Sequence, residues 1–244
     1  MELCKHCSSP IDSGQVYCSN ECWIANREEK PKESALMVWA SIIAVLVTLF
    51  GLLVVAFSIF GDSEFGLPIS IFLSGVIVYF ILKEIYNKKQ LQKLFSFPEL
   101  SESLRVIAAI IVLDVFVILP INVVVNLLFF PDAEQQEVII MLEDASDTSI
   151  AILAITVAII TPFAEELLFR GFILGMLMRR YSDTQAIVIS SLIFAIAHEP
   201  IAMGLAFGGG LLYGWARVRT GSILPGMIAH AIWNGFITII VILR

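Results

Sequence analysis

Long apolar runs separated by short polar stretches dominate the chain, and several runs are long enough to cross a bilayer. A hydrocarbon core about 30 Å thick takes about 20 apolar helical residues to span. Runs of that kind lie near Ala35–Phe60, Leu67–Tyr86 and Leu104–Phe130. A longer one lies near Ser149–Arg180. At 1.5 Å per residue it would reach about 48 Å, so it is expected to break near Pro162 or to stand proud of the membrane surface. Shorter runs near Thr184–His198 and Ile201–Ala216 precede a last one near Ile223–Leu243. Short spans are expected where helices break around a buried site. Pro120 predicts a kink in the third run. The pattern predicts an all-α polytopic membrane protein with about seven transmembrane helices.

Composition agrees with that class: 58% of the 244 residues are hydrophobic and 15% charged. The net charge of −7 says little about partners, because most acids sit in loops, and no basic stripe points to nucleic acid. No cleavable signal peptide is expected, since the first apolar run follows some thirty polar residues. No internal repeat is visible. Basic residues fall beside alternate connections: Lys30 and Lys32, then Lys83, Lys88, Lys89 and Lys93, then Arg179 and Arg180, then Arg217 and Arg219. With seven crossings these all share one side, which is expected to be cytoplasmic. The connection Pro131–Thr148 carries six acids and no Lys or Arg, and is expected outside. The amino terminus is then cytoplasmic and the carboxyl terminus outside, in a multi-pass protein of the cell membrane.

Charges inside the spans change the picture. Thr161–Arg170 reads TPFAEELLFR. A charged residue at mid-bilayer costs about 2.5–3.5 kcal/mol on insertion scales, so Glu165, Glu166 and Arg170 together are a candidate functional site. Glu166 and Arg170 are four apart and can pair along one helix face. Glu165 points about 100° away, leaving one carboxylate free for chemistry. The alternative is a structural ion pair with Glu165 facing a water-filled crevice.

Two of the three histidines also lie in apolar segments, in Phe194-Ala-Ile-Ala-His198 and His230-Ala-Ile-Trp-Asn234. Each pair of residues is one helical turn apart on one face. A carboxylate and an imidazole converging on one water can take its proton as it attacks a carbonyl. A second imidazole and an amide can donate to the oxyanion that forms. The same residues could instead hold a divalent metal that generates the nucleophile. There is no His-Glu-x-x-His pair, which would favour zinc, and no Gly-x-Ser-x-Gly elbow. Glycines at four-residue spacing (Gly171 and Gly175, Gly204 and Gly208, Gly210 and Gly214) predict close helix approach. Asp114, Asn122 and Asn126 form a polar stripe on the third span, expected to serve inter-helix hydrogen bonding.

All four cysteines lie at the amino terminus, as Cys4-Lys-His-Cys7 and Cys18-Ser-Asn-Glu-Cys22. Two such knuckles fit one tetrahedral zinc, whose binding would supply the folding energy of so short a segment. His6 is a spare candidate ligand. Two disulfides or free thiols are the other reading. Four thiolates leave zinc no open position, so the expected role is structural or partner-binding, and reduced thiolates fit the cytoplasm.

The knuckles resemble short zinc-ribbon or treble-clef modules. The ordered set Glu165-Glu166-xxx-Arg170, Phe194-xxx-His198 and His230-xxx-Asn234 closely resembles the CPBP family of intramembrane proteases, also called the Abi or CAAX-protease family. The resemblance covers about Ser149–Arg244. It implies four motif-bearing helices around a cavity open to lipid and cytosol. It implies that Glu165 and His198 activate water, that His230 and Asn234 stabilise the oxyanion, and that Glu166 and Arg170 brace the first motif. Glu199, directly after His198, is less typical and would alter polarity at the pocket mouth.

The expected organisation is a zinc module over 1–25, a linker over 26–34, amino-terminal spans with the acidic loop over 35–148, and a CPBP-type core over 149–244. The expected function is hydrolysis of a peptide bond in a membrane-associated or lipidated substrate near the cytoplasmic leaflet, with the ribbon recruiting a protein partner. The expected metals are structural zinc and an optional divalent ion at the membrane site. The competing reading is a non-proteolytic scaffold or immunity protein binding a partner through ribbon and cavity. A proton-coupled transporter is weaker, because transporters show paired half-repeats.

Overall fold

The computed structural model describes residues 2–4, 9–11, 33–60, 66–132 and 134–243. At the amino terminus, β1 (Glu2–Leu3) pairs antiparallel with β2 (Pro10–Ile11). Buried Cys4 follows β1, and its N–H donates to the Ser9 carbonyl at 2.8 Å. His6, Cys7, Cys18 and Cys22 lie outside the described residues, so the expected zinc site does too, apart from Cys4.

The remainder is helical. We number the helices α1 (Ala35–Phe60), α2 (Gly66–Ile85), α3 (Lys88–Leu94), α4 (Leu100–Phe129), α5 (Glu137–Glu143), α6 (147–177), α7 (Asp183–Ile196), α8 (Met203–Thr220) and α9 (Leu224–Ile242). Among the described residues, five helices are long and apolar enough to cross a membrane: α1, α2, α4, α6 and α9. Their outer faces carry exposed apolar side chains such as Phe50, Phe116, Leu127 and Ile239, which suit lipid rather than water. The protein is therefore a multi-pass membrane protein with an all-α fold. The two remaining expected spans also form helices. However, α7 has only 14 residues, and α8 is diluted by glycines and ends in Arg217 and Arg219.

The long fourth run does not break at Pro162. It stays helical by widening into π-helix over Thr156–Ile160 and again over Glu166–Ile173. The third run does the same over Asp114–Ile118, just before Pro120. Each of those first two wide turns (Asp114–Ile118 and Thr156–Ile160) ends two residues before a proline. A proline removes one ladder hydrogen bond and crowds the carbonyl four residues back, and a π turn absorbs both effects without a break.

The bundle has two chemically distinct ends. At the basic end, Arg179 pairs with Glu33 at 3.0 Å and Arg219 with Glu102 at 3.4 Å. There the Ile223 N–H and the Ser222 hydroxyl both donate to the Leu94 carbonyl. Burial, with the nearby Arg217 charge second, holds the Lys93 ammonium below its ordinary pKa. α8 stops at Gly221, whose φ of 72° suits the left-handed turn of a helix end. At the opposite, acidic end, the Asn126 amide donates to the Ile201 carbonyl at 2.8 Å. The Asn122 oxygen accepts from the Leu205 N–H at 3.1 Å. Two members of the polar stripe thus fasten α4 to the start of α8, while Asp114 does not join them.

α7 and α8 pack at their glycines. A Cβ placed on Gly210 would lie 2.9 Å from the Ser191 Cβ, closer than two side-chain carbons can sit. Gly210→Ala should destabilise the fold by about 1–3 kcal/mol through overpacking. A lowered midpoint of thermal unfolding in detergent would register it, and an unchanged midpoint would mean that the helices have slack there.

Candidate active site

The site forms where α4, α6, α7, α8 and α9 meet, and its anchor is Glu166. This side chain is fully buried, and its Oε1 lies 2.9 Å from Arg170 Nη1 along α6. Arg170 is itself 1% exposed. Its guanidinium sits 4.3 Å from the Phe194 ring centre and 5.1 Å from that of Tyr213. Neither terminal nitrogen makes an aligned hydrogen bond among the described residues, so Arg170 is held by charge and by ring faces.

The same Glu166 Oε1 lies 3.2 Å from His230 Nδ1. A carboxylate already facing a guanidinium accepts, so Nδ1–H donates and Nε2 is turned outward. Nε2 meets Glu165 Oε2 at 3.6 Å. Glu165 is 24% exposed, so the adjacent carboxylates differ in the way helical geometry implied: one is buried and paired, the other more open. His230 is also stacked on Tyr213, with centroids 4.8 Å apart and planes 18° apart.

His198 is oriented by the end of α7. Its backbone N–H reaches back to the Ala195 carbonyl, as the last turn tightens. The Phe194 carbonyl instead takes the imidazole Nδ1 at 2.7 Å. A carbonyl only accepts, so Nδ1 carries the proton and Nε2 presents its lone pair. The Phe194 ring sits edge-on to His198 at 4.5 Å and to His230 at 6.0 Å.

Asn234 is fixed by the π turn in α6. The Thr161 N–H bonds to the Thr156 carbonyl, five residues back. In the same pattern the Val157 carbonyl would accept from residue 162, a proline with no N–H. Asn234 Nδ2 donates to that carbonyl at 3.1 Å. One amide hydrogen is spent there.

His198, His230 and Asn234 line a common cavity of about 100 Å³, together with Asp114, Gln136, Phe194, Tyr213 and Trp233. A cavity of that size holds water or a peptide group. The structure thus brings together three of the residues picked from the sequence. Glu165 stands behind His230 and is not among the lining side chains. Its contact is with His230, and none closes between Glu165 and His198.

Asp114, Gln136 and Tyr213 went unpicked as site residues. A charged residue in an apolar span was a legible signal for Asp114. Nothing in the sequence singled out Gln136, which arrives from the acidic connection before α5. There the Glu137 N–H donates to the Glu199 carboxylate at 3.2 Å, joining that connection to the segment after His198. The cavity therefore lies toward the acidic end of the bundle.

No group of three or more His, Cys, Asp or Glu side chains among the described residues is placed to hold a metal ion. Glu166 is committed to Arg170 and His230, and His198 Nδ1 to a carbonyl. His198 keeps Nε2 free, but no further donors converge with it, so the described residues do not fit a divalent ion.

Removing the Glu166 charge should be more damaging to the fold than removing that of its neighbour. Glu166→Gln strands a buried guanidinium and should cost about 3–5 kcal/mol. Glu165→Gln, partly exposed, should leave the unfolding midpoint within a few degrees of wild type. Equal midpoints for both variants would show that the Arg170 contact carries no weight.

Residues 147–236 match the family model described as "Type II CAAX prenyl endopeptidase Rce1-like". Over 95 residues the chain is 35% identical to the "Membrane-embedded CAAX protease MroQ" of Staphylococcus aureus (strain USA300), covering 36% of this chain and 38% of that protein. Over 93 residues it is 32% identical to an "Uncharacterized 24.3 kDa protein" of Escherichia coli, covering 36% of this chain and 43% of that one. The aligned stretch thus spans about two fifths of each curated relative. No solved structure matches. The family match and the CAAX-protease relative support the CPBP family for the segment that carries Glu165, His198 and His230, and they leave α1 to α5 outside the resemblance.

Proposed function

We propose that this protein is an intramembrane endopeptidase that hydrolyses a peptide bond of a membrane-associated or lipidated protein or peptide. The observation that carries the proposal is the convergence of His198, His230 and Asn234 on one buried cavity, with Glu165 3.6 Å behind His230. In this reading a water in the cavity attacks the scissile carbonyl. His198 Nε2, whose lone pair is left free by the Nδ1 bond, takes its proton, and Glu165 acts through Nε2 of His230, which it faces at 3.6 Å. The second amide hydrogen of Asn234 faces the developing oxyanion, and His230 joins it as a donor once its Nε2 has received a proton. The proton then passes to the departing amine. Glu166 and Arg170 orient His230 and touch no substrate.

The amino-terminal module is proposed to hold structural zinc through Cys4, Cys7, Cys18 and Cys22 and to recruit a partner or substrate. Metal content and cleavage of a fluorogenic prenylated peptide, measured together, test both parts. The samples are wild type, Glu165→Gln and the Cys4→Ser/Cys7→Ser double variant, each after mild chelation. The expected result is one zinc lost only from the cysteine variant and wild-type cleavage that survives chelation. Glu165→Gln is expected to lose at least about 10²-fold in cleavage. Full activity in Glu165→Gln would remove that residue from the mechanism. A second metal lost together with activity would mean a metallopeptidase.

The basic end is proposed to face the cytoplasm. Combined with a cavity at the acidic end, this revises the expected place of cleavage. Gln136 and Ala202 line the cavity and belong to the connections farthest from Arg179 and Arg219, so substrate would be cut in the outer half of the membrane. A cysteine introduced at Gln136 should react with a membrane-impermeant maleimide in intact cells, and one at Lys88 should not. The reverse pattern would invert the topology and restore cleavage on the cytoplasmic side.

A further inference from the structure

The carboxylate that lines the cavity is neither glutamate of α6. It is Asp114, which comes from α4, outside the matched segment. Its side chain is 3% exposed, and its Oδ2 is buried with no hydrogen-bond partner among the described residues. Asn122 and Asn126 on the same helix are both engaged with the backbone around Ile201 and Leu205, and although Asn126 Oδ1 is also unmatched, of the three Asp114 alone lines the cavity. It stands at the first position of the π turn Asp114–Ile118, where the helix rotates relative to its earlier register. His198, His230, Asn234 and Tyr213 line the same cavity.

A buried carboxyl oxygen without a donor costs free energy until something donates to it. The other groups in the cavity already have assignments in peptide hydrolysis: proton acceptance at His198 and donation to the oxyanion at His230 and Asn234. None of them accepts a hydrogen bond from the amide N–H. A peptide group seated with its carbonyl carbon before the water and its oxygen toward Asn234 presents its N–H on the opposite edge. We infer that Asp114 accepts a hydrogen bond from the N–H of the scissile peptide and so holds the bond in register for attack. The inference rests on the endopeptidase reading and adds to it a substrate-contacting residue from the third span. It also limits the substrate, because a bond to proline, which has no N–H, would be refused at this position.

Replacing the scissile amide by an ester removes the N–H and little else. Cleavage by wild type, Asp114→Ala and Asp114→Asn would be compared on a matched pair of fluorogenic peptides, one amide and one ester. Asp114→Ala should lower kcat/KM on the amide by about 10- to 100-fold, the worth of a hydrogen bond to a charged group. On the ester it should lower it less than about threefold. Asp114→Asn keeps an acceptor oxygen and should retain most of the preference, and it gives the reading if the alanine variant does not fold. Equal losses on both substrates, or no loss on the amide, would overturn the contact, since a merely structural role does not distinguish an amide from an ester. Fluorescence anisotropy of the same two peptides on Glu165→Gln separates the claims. If wild type cleaves neither peptide while binding prefers the amide only when Asp114 is present, proteolysis fails and the contact stands. If binding shows no such preference and wild type cleaves neither, both fail.

Discussion

The structure depends on a single buried carboxylate. Glu166 has no exposure, so it must be matched inside the bundle, and the match comes from two directions. Arg170 approaches along α6 and His230 reaches across from α9. The arrangement leaves Arg170 needing more than one partner, which the ring faces of Phe194 from α7 and Tyr213 from α8 supply. Four helices are thereby tied to one charge. Moving any of them would expose an ion to a low-dielectric interior, where the penalty is several kcal/mol. The same contact fixes the His230 tautomer, so the element that rigidifies the bundle also sets the direction in which its chemistry points.

Backbone groups set free by helix irregularity build the rest of the site. In a membrane interior a carbonyl without a donor is expensive, because no water relieves it. Pro162 deprives the Val157 carbonyl of a partner, and Asn234 supplies one. The tightened end of α7 frees the Phe194 carbonyl, and His198 takes it. Both side chains would otherwise be buried polar groups with several rotamers. Each is held instead by a carbonyl that the helix itself cannot satisfy. Polar side chains and backbone defects stabilise one another, which is why both are found at the same depth.

The helical class, the apolar runs and the pairing of Glu166 with Arg170 were legible because each depends on local spacing. The convergence of His198, His230 and Asn234 was suggested by their one-turn spacings on apolar helices, and the resemblance ordered them. The contact partner of Glu165 was not legible: the resemblance joined Glu165 and His198 only through a shared water, and the side chain that Glu165 meets is His230. Which imidazole a carboxylate meets depends on the rotation of α6 about its axis, and the π turns change that rotation by an amount that residue spacing does not encode. For the same reason, residue spacing did not decide between a break at Pro162 and a helix that runs through it. Asp114 was grouped with Asn122 and Asn126 because all three lie at multiples of one turn. The π turn beginning at Asp114 breaks that register, and the carboxylate is directed to the cavity while the two amides fasten helices.

That break in register bears on what constitutes the functional unit. The segment that matches known proteins contributes His198, His230 and Asn234, yet the cavity they share is closed on its other side by Asp114 and Gln136. A cavity wall is as necessary as its reactive groups, since it excludes water and fixes the pose of whatever enters. α4 is fastened to the start of α8 by Asn122 and Asn126, and the acidic connection is fastened to Glu199 by the Glu137 N–H. These contacts bring non-matching parts of the chain to the segment that follows His198, at Glu199, Ile201 and Leu205. Divergence in α4 and in the connection before α5 would therefore reshape the chamber without touching the motif residues. In this architecture the matched helices hold His198, His230 and Asn234, and under the proposed activity the helix and loop that close the cavity over them would set which peptide fits.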